Sequence, residues 1–172
     1  MPPGQWLEVQ RRLPRAPGLY AWWVDDAGAD ELTLGLGHPV QPGLVYVGQA
    51  GATRSRGGSS NNTLLGPIGA MHLGSNRRVS TLRRSIAGVL AIARRTEVSE
   101  ADLTAWMNQH LRVSSIDVTD RDSIGALERQ LFAEIDPPLN LRGLPNTPLR
   151  RRLSQLRRSG GSVGSEHATS AQ

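Results

Sequence analysis

The sequence predicts one α+β domain made of three short strands and about five helices. Segments rich in aromatic and β-branched residues are separated by Gly, Pro and Asp, which is typical of strands joined by loops. Other segments repeat apolar residues at spacings of three and four, which is typical of helices with one buried face. The length of 172 residues is sufficient for a single domain with its own hydrophobic core.

Three segments have the composition of strands. Gly18–Val24 and residues 44–48 contain aromatic and branched side chains, and a loop joins them, so antiparallel pairing is their simplest arrangement. Residues 112–118 form the third predicted strand. The connection at residues 25–42 is rich in Gly, Asp and Pro, and we predict a loop there with at most a short strand near residues 32–36.

Five segments have the pattern of helices, and they cover residues 64–73, 80–95, 99–110, 124–135 and 149–158. The second has the clearest periodicity, because Leu82, Ile86 and Val89 repeat on one face. Thr63 can cap the first, although the glycines and the proline that follow weaken this prediction. Pro148 suits the first position of the last helix.

The ends of the chain are predicted to be less regular. Residues 6–15 have the pattern of a short helix or turn, and residues 159–172 are small and polar, which is typical of disorder. We therefore expect a domain at residues 1–158, with a core at about 17–141 and a basic helix at about 148–158.

Composition limits the possible functions. The chain has no Cys, which excludes disulfides, thiolate metal sites and cysteine nucleophiles. It has no apolar run near the ~20 residues of a transmembrane helix and no signal-peptide pattern, so we expect no membrane association and a cytoplasmic location. The net charge of +5 and the isoelectric point of about 11.1 favour a polyanionic partner such as nucleic acid. Every basic residue is Arg, however, and this usage is also typical of a GC-rich genome.

Four residues have side chains and positions that suit a catalytic site. Tyr20 and Tyr46 are the only two tyrosines, and each lies in a predicted strand that also contains a glycine, so both phenols can share one sheet face. Glu128 lies at the edge of the apolar face of a predicted helix, and Asn140 follows a Pro pair. Taken singly, each also fits an ordinary structural position, namely a half-buried strand residue, a surface acid or a turn.

The order of these residues is more specific than any one of them. A Gly-Leu-Tyr motif that ends at Tyr20, a Tyr-Val-Gly motif that begins at Tyr46, a basic loop, and then Glu128 and Asn140 resemble the GIY-YIG nuclease family. The resemblance extends over about residues 17–141. The segment from the glutamate to the asparagine, with a proline shortly before the asparagine, is similar to that of excision-repair nucleases in the family.

Two further segments, residues 80–85 and 106–111, resemble a bacterial branch of the same family. The resemblance implies a small central three-stranded antiparallel sheet flanked by helices. It also implies an endonuclease that hydrolyses DNA phosphodiester bonds with one Mg²⁺ or Mn²⁺ ion per site. RNA remains an alternative substrate. Two alternative functions also remain: a catalytically degenerate fold that binds nucleic acid without cutting it, and an interaction protein with a basic surface.

The resemblance assigns a role to each site residue. Tyr20 corresponds to the tyrosine that orients or deprotonates the attacking water, and Tyr46 to the one that contacts water or phosphate. Glu128 corresponds to the metal ligand, and Asn140 to the residue that helps to hold the site together. His72 is similar to a histidine that some members place near the second tyrosine, and it fits a partly exposed helix end equally well.

The family's phosphate-stabilising arginine has several candidates here. Counting from the second motif gives Arg56, with Arg54 close by. The Gly- and Ser-rich stretch that follows resembles an insertion, and in that case the alternatives are Arg77, Arg83 and Arg84.

Phosphodiester hydrolysis needs such groups whatever the family. Negative charge builds up on the non-bridging and leaving oxygens, and a divalent cation or a bidentate guanidinium neutralises it. One carboxylate can hold Mg²⁺ when water and phosphate supply the remaining ligands. A phenol has an ordinary pKa near ~10, so it can act as a base at neutral pH only beside a positive charge.

A basic stretch late in the chain is a predicted DNA-binding surface. Residues 142–158 contain six arginines and no acid. On the predicted helix, Leu149, Leu153 and Leu156 form an apolar strip, which leaves the arginines toward solvent. A solvated run of charge explains the same pattern equally well. The residues predicted to contact nucleic acid are Gln49, Arg54, Arg83, Arg84, Arg150, Arg151, Arg157 and Arg158.

Overall fold

The computed structural model describes residues 13–53, 62–74 and 76–159. In chain order its elements are β1 (Gly18–Val24), α1 (Asp26–Leu36), β2 (Gly43–Ala50), a π-helix (Gly66–His72), a 3-10 helix (Arg77–Val79), α2 (Thr81–Arg94), α3 (Glu100–His110), β3 (Leu111–Asp117), α4 (Ile124–Ile135) and α5 (Pro148–Ser159). The predicted tail from residue 160 onward and most of the predicted N-terminal helix or turn lie outside the described residues. None of the described helices combines the length and the apolar character needed to cross a lipid bilayer.

The three strands form one antiparallel sheet in the order β2-β1-β3, which confirms the predicted fold class and the predicted pairing of the first two strands. In the register of the two strands, Tyr20 pairs with Gly48, and Trp22 pairs with Tyr46. Side chains alternate between the faces of a sheet, and directly paired residues share a face. Tyr20, Trp22 and Tyr46 therefore point to the same side.

The connection between β1 and β2 differs from the prediction. It contains an 11-residue helix, α1, where the sequence predicts a loop with at most a short strand. Asp25 caps this helix, because its Oδ1 accepts a hydrogen bond from the Gly28 N–H at 2.8 Å. Gly37, in the left-handed region at φ 68°, ends it. The Asp and Gly residues that are typical of a loop are thus the caps of a helix that buries Leu32 and Leu36.

The hydrophobic core lies between the sheet and the helices α1, α2 and α5. α2 packs against both of the other two helices, and its periodic apolar face is buried, as predicted. α5 buries Leu153 and Leu156, and β1 buries Trp22 in the same cluster. The predicted bounds of α2, α3, α4 and α5 agree with the structure to within one residue at each end.

The first predicted helix is a π-helix, Gly66–His72, rather than an α-helix. Thr63 does not cap it, and no side chain among the described residues forms a cap there. The Leu73 N–H donates to the Ile68 carbonyl at 3.1 Å, which is the wide five-residue spacing of π-helices. This turn places His72 in the interior with 2% of its surface exposed, so the partly exposed helix-end position is wrong.

Candidate active site

Two phenol rings lie side by side on the core face of the sheet. The ring centroids of Tyr20 and Tyr46 are 6.4 Å apart, and those rings lie 5.5 and 5.7 Å from the ring of His72. Tyr20 is buried, whereas Tyr46 is half-buried and has its hydroxyl 3.3 Å from Thr81 Oγ1 at the start of α2. The antiparallel pairing of β1 and β2 thus brings the only two tyrosines of the chain together.

Gly48, which is opposite Tyr20 in the strand register, makes room for the first phenol. A Cβ built at residue 48 would lie 2.3 Å from both Cζ and Oη of Tyr20, far inside van der Waals contact. Only glycine lets the Tyr20 ring pass over β2 at this point. The position of Tyr20 in the first motif therefore requires glycine at residue 48 in the second motif.

A buried hydrogen-bond chain supports the Tyr20 hydroxyl from behind. Ser80 Oγ accepts the Arg83 N–H at 3.1 Å as the cap of α2, and it lies 2.7 Å from His72 Nδ1. Ser80 is fully buried, so its hydroxyl proton needs an acceptor within the protein. Among the described residues, His72 Nδ1 is that acceptor. His72 then carries its own proton on Nε2 and donates it to Tyr20 Oη at 2.8 Å.

The ionisation of both groups follows from their burial. Burial lowers the pKa of His72 to about 3, and the charge of Arg83 acts in the same direction, so the ring is neutral at neutral pH. Burial also raises the pKa of Tyr20 well above its ordinary value, and the nearby Tyr46 and Glu128 raise it further. Tyr20 is therefore a neutral phenol, and only additional positive charge close to its ring would lower this pKa.

Glu128, on α4, faces the same pocket. Its carboxylate accepts no hydrogen bond from any residue that the structure describes. Burial raises the pKa of Glu128, and the charges of Arg142 and Arg129 partly offset this. Within the described ranges, no group of three or more His, Asp or Glu side chains is placed to hold a metal ion. A cation at Glu128 would depend on water and substrate oxygens for its other ligands.

Asn140 fastens the segment that follows α4 to β2. Its Oδ1 accepts the Val47 N–H and its Nδ2 donates to the Val47 carbonyl, both at 2.8 Å. The Leu139 N–H donates to the Val45 carbonyl at 2.9 Å, which extends the pairing. The Asn140 amide is thus engaged with the backbone, which suits a residue that positions the pocket wall.

These side chains surround one open pocket of about 530 Å³. Strands β1 and β2 and helices α2, α4 and α5 all contribute to its wall, and the polar lining includes Tyr20, Tyr46, Gln49, Thr81, Glu128, Asn140, Arg142 and Arg157. Four of the residues that the sequence indicates for catalysis therefore share this pocket. His72 lies directly behind Tyr20, and the exposed Gln49 is at the rim.

One family match contains all of these residues. A family model described as the GIY-YIG catalytic domain matches residues 18–159, from the start of β1 to the end of α5. The chain belongs to the GIY-YIG family. No curated protein and no solved structure matched it. Membership of this nuclease family implies nuclease activity in general and a nucleic-acid substrate.

The arginines of this GIY-YIG domain are distributed differently from the prediction. Arg54 and Arg56 lie outside the described residues. Arg83 is 1% exposed and pairs with Glu100 Oε2 at 2.7 Å, so its assignment to nucleic-acid contact is wrong. Arg77 pairs with the same carboxylate at 2.6 Å. Neither of these two guanidinium groups lines the pocket, because each is held by the carboxylate at the start of α3.

Arg150, on α5, is also not a DNA contact. It is 4% exposed, its Nε donates to the Asn140 carbonyl at 3.1 Å, and its terminal nitrogen pairs with Asp136. These bonds tie α5 to the segment that carries Asn140. Arg151 and Arg158, by contrast, are exposed and keep the predicted outward position.

Arg157 is the pocket residue that the sequence pattern places on the wrong surface. The pattern assigns it to the outer basic face of the last helix, whereas the structure has it half-buried in the pocket wall. A signal for this position exists in the sequence. Arg157 follows Leu153 by four residues and Leu156 by one, so it lies on the edge of the buried strip.

Proposed function

We propose that the protein is a divalent-metal-dependent endonuclease that hydrolyses DNA phosphodiester bonds in this pocket. The observation that carries the proposal is the convergence of Tyr20, Tyr46 and Glu128, from three different elements, on one open cavity. Hydrolysis needs an oriented water and counter-charge for the phosphate, and the pocket offers phenol hydroxyls, a carboxylate and arginines side by side. The net charge of +5 supports a polyanionic substrate.

Tyr20 is the proposed water-orienting residue. Because His72 donates its Nε2–H to Tyr20 Oη, the hydroxyl proton of Tyr20 is directed to the other side, where Tyr46 is its hydrogen-bond partner. In the proposal, the attacking water takes over this contact when substrate is bound. The raised pKa keeps the phenol protonated even though arginines line the pocket. Cationic charge beside the ring lowers that pKa, and the hydrogen bond from His72 stabilises a phenolate. Tyr20 then orients water as a phenol and accepts a proton only when such charge is present.

Glu128 is the proposed ligand of one Mg²⁺ or Mn²⁺ ion. Its carboxylate supplies the oxygen donors that these cations prefer, and it has no hydrogen-bond partner among the described residues. Burial raises its pKa more than the charges of Arg142 and Arg129 lower it, so the ionised form would gain from a further positive partner. When bound, a divalent cation neutralises charge on the non-bridging and leaving oxygens of the phosphate.

A cleavage assay tests the proposal. Purified protein is incubated with duplex, flap and single-stranded DNA and with RNA, in the presence of Mg²⁺, Mn²⁺ or EDTA. We expect divalent-dependent cleavage of at least one DNA substrate, and a loss of about 10²-fold or more in Glu128→Gln and in Tyr20→Phe. Glu134→Gln, at an exposed position of the same helix, is the matched control and should cleave like the wild type.

Each outcome separates the proposal from its alternatives. Undiminished cleavage by Glu128→Gln would show that the pocket is assigned wrongly. DNA binding without cleavage under every condition indicates a degenerate nuclease that only binds nucleic acid. Neither binding nor cleavage indicates an interaction protein, and cleavage of RNA alone would correct the substrate.

A further inference from the structure

An arginine of the last helix reaches the proposed active site. Arg157 lines the pocket together with Tyr46 and Glu128. Its Nε donates a hydrogen bond to Ser85 Oγ at 2.9 Å, and Ser85 in turn donates to the Thr81 carbonyl at 2.9 Å. One edge of the guanidinium is therefore fixed against α2.

Among the described residues, Arg157 has no carboxylate partner, unlike the buried Arg83 and Arg150. Arg83 pairs with Glu100, and Arg150 pairs with Asp136. The terminal nitrogens of Arg157 meet no hydrogen-bond acceptor in the part of the chain that the structure describes. These two nitrogens are the ones that form a bidentate contact with phosphate. The guanidinium is thus oriented by the protein and left open to an anion in the pocket.

A second arginine adds positive charge next to Arg157. Arg84, on α2, is half-buried, and its Nε is buried without a hydrogen-bond partner among the described residues. Burial lowers the pKa of Arg157, and the charge of Arg84 lowers it further. Two partly desolvated like charges close to each other are unfavourable, and an anion would stabilise both. This local excess of positive charge fits a phosphate group.

Helix packing fixes where Arg157 emerges. A Cβ built at Gly88 would lie 2.1 Å from the Leu156 carbonyl oxygen, so α2 and α5 approach this closely only because residue 88 is glycine. Leu153 and Leu156 are buried in the core beside it. The next residue, Arg157, is therefore held at the pocket wall by the core of the domain.

We propose that Arg157 is a further phosphate-binding residue of this nuclease and contacts a non-bridging oxygen of the scissile phosphate through its terminal nitrogens. The inference rests on the nuclease function proposed above. Arg56 lies outside the described residues, and its assignment from the sequence stays a prediction. The inference also gives α5 a role inside the active site.

The experiment compares charge-removing and charge-keeping variants at one position. Arg157→Gln removes the charge, and Arg157→Lys keeps the charge but cannot form the bidentate contact. Arg152→Gln is the matched control, because Arg152 is on the same helix and outside the pocket lining. Cleavage is measured at limiting and saturating DNA, and thermal unfolding verifies that each variant folds. We expect Arg157→Gln to lower kcat by about 10²-fold or more with a smaller change in KM. Arg157→Lys should recover part of this loss, and Arg152→Gln should stay within about 3-fold of the wild type.

Further variants keep the inference open to refutation. If Arg157→Gln does not fold, Ser85→Ala takes its place, because it keeps the charge and removes the anchor of the guanidinium. It should lower kcat by about 5-fold or more, and an unchanged kcat overturns the inference. Loss of cleavage in Arg56→Gln together with wild-type cleavage in Arg157→Gln also overturns it.

The inference and the proposed function can fail separately. If the wild type cleaves and Arg157→Gln cleaves equally fast, the inference is wrong and the nuclease function stands. If the wild type does not cleave, the nuclease function is wrong. The affinity for a short DNA duplex then tests whether Arg157 binds phosphate. A Kd about 10-fold weaker in Arg157→Gln than in Arg152→Gln supports phosphate binding by Arg157. Equal Kd values overturn it.

Discussion

Replacing Gly48 with alanine tests whether the two tyrosine motifs depend on each other. The new Cβ would lie 2.3 Å from Cζ and Oη of Tyr20, a ring that is 5% exposed and has little room to move. The ring must shift and give up its 2.8 Å hydrogen bond with His72. A single methyl group in β2 would therefore displace the phenol that we expect to orient water.

The expected magnitude combines two costs. An additional methyl group forced into a packed interior costs about 1–3 kcal/mol. The loss of a buried hydrogen bond adds about 0.5–1.5 kcal/mol. For a chain of this length, each kcal/mol lowers Tm by about 2–4 °C. We therefore expect Gly48→Ala to lower the free energy of unfolding by roughly 2–4 kcal/mol and Tm by roughly 4–16 °C.

Thermal and urea unfolding measure the change in stability, and cleavage assayed well below Tm measures the change in the site. Gly66→Ala is the matched control, because a Cβ at that position meets nothing within 4 Å. It should stay within about 1 kcal/mol of the wild type. We expect Gly48→Ala to cleave more slowly even where it is fully folded. Wild-type Tm together with wild-type cleavage would refute the close fit of Tyr20 over β2.

Two further predictions concern groups behind the pocket. Burial lowers the pKa of His72 from 6.5 to about 3. The His72 ring therefore stays neutral in the folded protein, whereas in the unfolded chain it takes up a proton below pH 6.5. Stability should then fall as the pH drops from 6.5 toward 3, by at most about 1.4 kcal/mol per pH unit from this group. Urea titrations should show a shallower fall in His72→Gln but not in His38→Gln, and equal slopes in all three proteins would contradict the neutral buried ring. Arg150→Met should lower the free energy of unfolding by about 1–3 kcal/mol, because the Asn140 carbonyl loses a charged donor. The exposed Arg151→Met should change it by less than about 0.5 kcal/mol, and equal effects of the two would argue against the anchoring role.

Local signals predict most of the framework. The strand Gly18–Val24 and the helices from α2 onward have their signals, composition or apolar periodicity, within the element itself. α1 could not be predicted in this way, because Asp25 and Gly37 are typical both of loops and of helix caps, and only the structure shows their bonds. The π-helix shows the same limit, since the backbone hydrogen-bond spacing has no signal in composition.

The site depends more on contacts between distant segments. Periodicity alone does not bring Tyr20, Tyr46 and Glu128 together, and only the order of the family's motifs groups them before the fold is known. The burial of individual arginines is harder still to predict. Arg83 and Arg157 both lie on arginine-rich helices. Among the described residues, only Arg83 pairs with a carboxylate from a neighbouring helix.

The first turns of α2 connect the two halves of the proposed site. Ser80 caps this helix and bonds His72 behind Tyr20, while one turn further on Ser85 holds Arg157. The separation between the phenol of Tyr20 and the guanidinium of Arg157, to which we assign water orientation and phosphate binding, is therefore set by α2 as well as by the sheet. Buried partners hold these groups in place before the substrate binds, so the groups need little reorganisation during the reaction. Such preorganisation is a main source of catalytic power. This arrangement gives a physical reason for the family match to extend through α5, because the pocket is incomplete until the last helix packs onto α2.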